Sequence, residues 1–309
     1  MVVRSALLLF SLLTPRRWDS QLVTLLWKTA RIIKPPLEER VATLTKRQGV
    51  LNDKGSRAED RVNEYLRRRW EIYWGGFRAL GRRGWQVQVD WEGEEYLTAA
   101  LKRRKGVVLW FYSFCENLIM LRALGEKGYT VTHLSRIDHG APSKSFVALG
   151  LLGGFARYAE GRYLAKRIVI HRKLTPASMR RVERALAEND CVTVRGDQSA
   201  TPGIAATLFD KPICLAPGAP SLAWKTGAAL ITIGLYRKGF DRYGLRVDPA
   251  IEVNRTADRK IAVRRAASVF TERLQQRVAA YPEDWYGWEQ DPRFWVRDSV
   301  PEKPLVARE

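Results

Sequence analysis

Cysteine and histidine are scarce, with three of each in 309 residues. Cys115, Cys191 and Cys214 lie far apart, and so odd and scattered a set supplies neither a disulfide framework nor zinc-ligand spacing. They are expected to be reduced thiols in a cytoplasmic setting, with Cys191 and Cys214 in the core. No metal and no cofactor is expected. A phosphate-cradling loop is missing as well: the Gly153–Gly154 pair and the basic Lys166–Arg167 step lack the Gly-Lys-Ser/Thr signature. There is no internal repeat, no low-complexity stretch and no RNA-recognition signature. Long apolar runs are also lacking. Ala6 to Leu13 reads ALLLFSLL, too short to cross a bilayer. Pro15, Arg16, Arg17 and Trp18 follow it where a secretory leader would carry small residues for cleavage, so no leader is expected.

Acidic residues are outnumbered, 33 against 53 lysines and arginines, for a formal charge of +20. Such a surplus attracts nucleic acid, anionic lipid headgroups or phosphorylated substrates. It is mixed with aromatics, as in Arg67, Arg68, Arg69 and Trp70, rather than gathered in a tail. Length and apolar content suit one large α/β domain with a core.

Leu22, Leu26, Ala30 and Ile33 fall on one helical face, Lys28, Arg31 and Lys34 lie toward the other, and Pro35–Pro36 stops the helix. With Trp27 as an interfacial anchor, this helix is expected to lie on anionic lipid; packing on the domain is the plainer alternative. Ser56 and Glu59 form a capping box. The helix it opens carries Val62, Tyr65, Leu66, Trp70 and Tyr73, and Gly75–Gly76 interrupts it. Trp85, Val87, Val89 and Trp91 alternate as a strand. Gly106 to Tyr112 is a continuous apolar run, as expected of a strand buried on both faces. Further strands at 129–134, 168–170, 191–194, 230–235 and 242–247 alternate with helices, one of them capped by Thr175 with Pro176 at its first position. The alternation predicts an α/β fold: a mostly parallel central sheet flanked by helices, preceded by N-terminal amphipathic helices. Sites in such folds lie beyond the carboxyl ends of the strands, which directs attention to the residues after Tyr112, Leu134 and Val194.

Four blocks in order then carry a resemblance. They are WQVQVDWEGEEYLTAALKRRKGVVLWFY (Trp85–Tyr112), the segment Leu186–Gly203 with Asp197–Gln198 after a strand, LFDKPICLAPGAPSLAWKTGAAL (Leu208–Leu230), and YPEDWYGWEQDPRFW (Tyr281–Trp295). Together they resemble the bacterial lipid A biosynthesis late acyltransferases, the lauroyl/myristoyl group of the lysophospholipid acyltransferase superfamily, over roughly residues 56 to 295. The resemblance implies a glycerolipid acyltransferase-like domain at 51–309 behind membrane-associating helices at 1–50. It also implies transfer of a fatty acyl group from acyl carrier protein or acyl-CoA to a lipid or amine acceptor. The place would be the cytoplasmic face of the inner membrane, with peripheral or monotopic attachment and no nucleic-acid partner.

The departure from that family is equally specific. Its members carry a His, four residues and an acid directly after the strand that ends here at Tyr112. This chain has Ser113 at the His position and Leu118 at the acid position. General-base catalysis contributes about 10² to 10⁴-fold, so hydroxyl acylation should be impaired. Three readings follow: an acyltransferase for a more reactive acceptor such as an amine, a covalent relay through Ser113 or Cys115, or a lipid- or carrier-binding relative without turnover. Ser113, Glu116, Asp197 and His139 are the candidate catalytic residues, with His139 as a substitute base ahead of His133 and His171. Cys115 and Glu116 have loop packing as their plain alternative, and Asp197 has a backbone-bonded turn. Arg136, at a place where the family has a phosphate-facing arginine, Gln198 and Phe209 are the candidate substrate contacts. Arg195, in an Arg-Gly-Asp tripeptide, reads as incidental. Ser113 and Asp197 are expected to share the rim of an apolar tunnel at the sheet ends.

Overall fold

The apolar run Gly106–Tyr112 forms the middle of a seven-stranded sheet in the computed structural model, which describes residues 11, 13–33, 44, 47, 51, 56–80, 86–136, 161, 164–170, 175–200, 202–289 and 294–295. The strands are β1 (Gln88–Glu92), β2 (Val107–Phe111), β3 (Val131–Arg136), β4 (Lys166–Ile170), β5 (Cys191–Arg195), β8 (Ala229–Gly239) and β9 (Arg242–Val247), in the order β1-β9-β8-β2-β5-β3-β4. All neighbours run parallel except β8 and β9. Every residue of β2 is buried, as its position between β8 and β5 requires. The expected α/β architecture with a mostly parallel sheet is therefore present.

Seven helices accompany it among the described residues: α1 (Asp19–Ile33), α2 (Ser56–Leu80), α3 (Glu94–Lys102), α4 (Asn117–Glu126), α5 (Pro176–Ala187), α6 (Gly218–Thr226) and α7 (Arg259–Ala280). Local chemistry sets their starts. Thr175 Oγ1 accepts the Ser178 N–H at 3.1 Å and Pro176 occupies the first turn of α5. Asp258 caps α7 through the N–H groups of Lys260 and Ile261. Along α7, Ala262, Ala266, Phe270, Leu274 and Val278 are buried at four-residue spacing. Phe270 stacks on Trp110 and Tyr112, with centroids 4.1 and 4.8 Å apart, and fixes the helix to one face of the sheet.

Several details differ from the sequence reading. Helix α2 runs unbroken through Gly75–Gly76, because Ile72, Trp74, Arg78 and Ala79 are buried around them and the Arg78 guanidinium pairs with Asp19 of α1. Packing of this kind outweighs a glycine's weak helix propensity. Trp27 is not an interfacial anchor: it is 6% exposed and belongs to the core. Cys214 is only half-buried. A hairpin pairs β6 (Ile204–Leu208) with β7 (Lys211–Leu215); the apolar run around Cys214 reads as strand-like, but its partner strand and the turn between them were not expected. Its turn residues Phe209 and Asp210 adopt positive φ, 49° and 57°, a conformation usually signalled by Asn or Gly.

Candidate active site

Phe111 lies opposite Arg195 in the parallel register of β2 and β5, so the two strands leave the sheet at one level. The Gly196 N–H reaches the Phe111 carbonyl at 2.8 Å. Only glycine fits there, since a Cβ would sit 2.2 Å from Phe270 Cζ and 2.7 Å from Trp110 Nε1. The next residue on β5's exit is Asp197 and the corresponding one on β2's exit is Ser113. Ser113 Oγ donates to Asp197 Oδ1 at 2.6 Å and the Ser113 N–H donates to Oδ2 at 3.0 Å. The carboxylate also accepts from Trp285 Nε1 at 2.8 Å and Arg195 Nε at 3.2 Å. A carboxylate has about four acceptor positions, and four donors from the described residues bond to this one.

Trp285 arrives by backbone pairing. The Cys115 N–H bonds the Asp284 carbonyl at 2.9 Å, the Tyr286 N–H bonds the Ser113 carbonyl at 2.8 Å, and Phe114 and Trp285 form an antiparallel bridge. The Asp284 side chain accepts from Arg68 Nη1 at 2.6 Å and from the Arg237 N–H at 3.0 Å. Behind this strip Trp285, Trp288, Phe294 and Trp295 pack ring against ring. The consequence corrects the expected open rim. Ser113 is 1% exposed and Asp197 0%, they touch directly, and no cleft separates them. The indole of Trp285 both satisfies Asp197 and fills the space above it.

The remaining candidates divide. Glu116 does not bond Ser113; it caps α4 by accepting the Leu118 N–H. Burial raises its carboxyl above the usual range, and Arg69 pulls in the other direction. Cys115 is buried at φ 50°, and burial holds its thiol well above its ordinary value, so it stays an unreactive S–H. The imidazole of His133, on β3, meets Thr193 Oγ1 at 2.7 Å inside the sheet layer. His139 and His171 lie outside the described residues. Arg136 ends β3, its backbone paired opposite Ile170, and its side chain is outside the described set. Gln198 extends the Asp197 turn, and its carbonyl accepts the Ala216 N–H at 2.8 Å, tying β5's exit to the end of β7. Phe209 sits at the opposite tip of that hairpin, where its N–H donates to Gln275 Oε1 at 2.8 Å. Sequence reasoning missed Arg195 and Trp285. An indole N–H that must find an acceptor once buried was the available signal for Trp285.

A cavity of about 330 Å³ opens at the other end of the sheet, where β2 and β8 begin, lined by Arg103, Ala223, Gly227, Leu230, Ile251 and Arg255. It is remote from the Ser113–Asp197 pair and has no part in its chemistry. Among the described residues no cluster of His, Cys, Asp and Glu could hold a metal, and no helix is long and apolar enough to cross a membrane.

The family model described as bacterial lipid A biosynthesis acyltransferase covers residues 154–290, including Arg195, Asp197, Gln198 and Trp285 but not Ser113. This supports an acyltransferase function in general terms. No curated protein matches significantly.

Proposed function

We propose that this chain, whose residues 154–290 match the model of the bacterial lipid A biosynthesis acyltransferase family, transfers a fatty acyl group from acyl carrier protein or acyl-CoA to a lipid or amine acceptor at the cytoplasmic face of the inner membrane. One observation carries this reading: a serine pinned by Asp197, at 2.6 Å, on the carboxyl ends of two adjacent parallel strands. With no imidazole at Ser113 among the described residues, a neutral amine is the acceptor that fits best. Its nitrogen attacks the thioester carbonyl, the C–N bond forms, the C–S bond breaks and the thiol leaves with the proton. Entry of substrate requires the Trp285 indole to rotate off Asp197 while the backbone pairing of its strip stays in place. Exposed Leu13, Trp18 and Leu25, with Arg17 and Lys28 also exposed, support contact with an anionic lipid surface.

A second reading has its own support. The complete burial of Asp197 and its four satisfied acceptor positions favour a carrier- or lipid-binding relative without turnover. Labelled acyl donor incubated with the protein and either a lipid extract or a simple amine separates the two. Acylated product that disappears in Ser113→Ala and Asp197→Asn supports transfer. Donor binding without product supports the second reading and refutes the first.

A further inference from the structure

Three consecutive arginines on α2 receive different treatment. Arg67 bonds Glu64 at 2.7 Å and Glu71 at 2.6 Å, while Arg68 bonds Glu64 at 2.8 Å and Asp284 at 2.6 Å. Arg69 meets no carboxylate at ion-pair distance among the described residues. Its guanidinium lies over the Tyr286 ring, 4.0 Å from the centroid, and reaches Tyr73 Oη only at 3.5 Å. Arg69 Nε and Tyr286 Oη are both buried with no hydrogen-bond partner. Folded proteins leave few such groups unsatisfied, and here two donors of one stacked pair are both available to an acceptor. Both residues are half-buried as a whole, so other parts of each side chain reach solvent although the two donor atoms are covered. The pair also adjoins the candidate active site, since the Tyr286 N–H bonds the Ser113 carbonyl at 2.8 Å.

We propose that Arg69 and Tyr286 form a phosphate-ester subsite, the guanidinium Nε–H and the phenol O–H each donating to a phosphoryl oxygen. A guanidinium suits this role because it keeps its charge and presents fixed donors to a tetrahedral anion. The stacked tyrosine holds the guanidinium plane, and the chain's +20 charge draws such ligands in. Two acids lie in the field of Arg69, Glu289 and the Glu116 that caps α4, and whatever negative charge they carry opposes an anionic ligand. The phosphate has two sources under the acyl-transfer reading on which this assignment of ligand rests: the phosphopantetheine-type arm of the donor, or a lipid headgroup.

Binding needs no turnover, so it is measured directly on the full chain. Coenzyme A is titrated by calorimetry, and phosphatidylcholine vesicles with and without phosphatidic acid are tested by co-flotation. Response to coenzyme A assigns the donor arm, and response to phosphatidic acid assigns the headgroup. In either case Arg69→Gln should weaken binding roughly tenfold, Tyr286→Phe several-fold, and Glu116→Gln should tighten it. Lys105→Gln, a charge control at the start of β2, should leave it unchanged. If Arg69→Gln fails to fold, the near-isosteric Tyr286→Phe is judged by the same standard. Failure of both probes to bind, or wild-type affinity in a folded Arg69→Gln protein, overturns the subsite. Intact, Arg69-dependent binding without acyl transfer would instead refute the proposed reaction and leave the subsite standing.

Discussion

Replacing Asp197 by alanine removes the acceptor shared by four donors. Three of these belong to groups sealed from water: the Ser113 N–H, the Ser113 O–H and the Trp285 indole N–H. A buried donor left without a partner costs about 1–3 kcal/mol, although the serine hydroxyl can rotate toward another acceptor. Arg195, with a side chain 29% exposed, can turn to solvent. The Ser113 N–H and the Trp285 indole cannot turn away, so Asp197→Ala should cost the sum of two such donors, about 2–6 kcal/mol. Ser113→Ala removes one donor and leaves the carboxylate three, so about 1–2 kcal/mol is expected. Asp197→Asn should lie between them, because it keeps one acceptor oxygen but presents an amide N–H₂ to the other pair of donors. Urea titration followed by tryptophan fluorescence measures all three, with the slope checked for constancy across variants. The reasoning fails if Asp197→Ala costs no more than Ser113→Ala.

Gly196→Ala drives a Cβ to 2.2 Å from Phe270 Cζ, so a loss of about 1–3 kcal/mol is expected in the same titration, relieved by the additional change Phe270→Leu. Burial pushes the Glu64 carboxyl up, but hydrogen bonds and charge from Arg67 and Arg68 outweigh it and bring it down from 4.5 to about 2. A lowered acid stabilises the fold above its unfolded pKa, so this contribution should be present above about pH 4.5 and fade as pH falls toward 2. Glu64→Gln should flatten melting temperature against pH in that window; the effect is small because the pair borders solvent. A thiol reagent should modify Cys214 first under native conditions, since Cys115 is 2% exposed and Cys191 1%, with burial pushing the Cys191 thiol up to about 12. Rapid native labelling of Cys115, read by peptide mass mapping, would contradict the picture of an inert thiol.

The central strands were legible because their apolar runs have only one stable setting, between other strands. Thr175 with Pro176 likewise announced a helix start that the fold uses. The juxtaposition of Ser113 and Asp197 followed from topology: two exits from adjacent parallel strands must meet. What the sequence hid was whatever depends on partners distant along the chain. Nothing near Trp285 says that its N–H ends on Asp197, and Arg195 looked incidental because its role comes from the tight turn at Gly196. The β6–β7 hairpin escaped because Phe209–Asp210 lacks the usual turn residues, and the unbroken α2 escaped because the burial holding Gly75–Gly76 in helix is tertiary. The closure over Ser113 is a property of packing volume, which residue spacing does not encode.

Asp197 emerges from synthesis 84 residues after Ser113, and Trp285 another 88 residues after that. At roughly 5–20 residues per second, the carboxylate waits about 4–18 s for its indole donor. Throughout that interval the serine and its acid stand open on a nascent sheet whose roof has not been translated. Sealing is thus a late event, and a stalled ribosome would leave behind a chain with a wet, sticky end in place of a finished one.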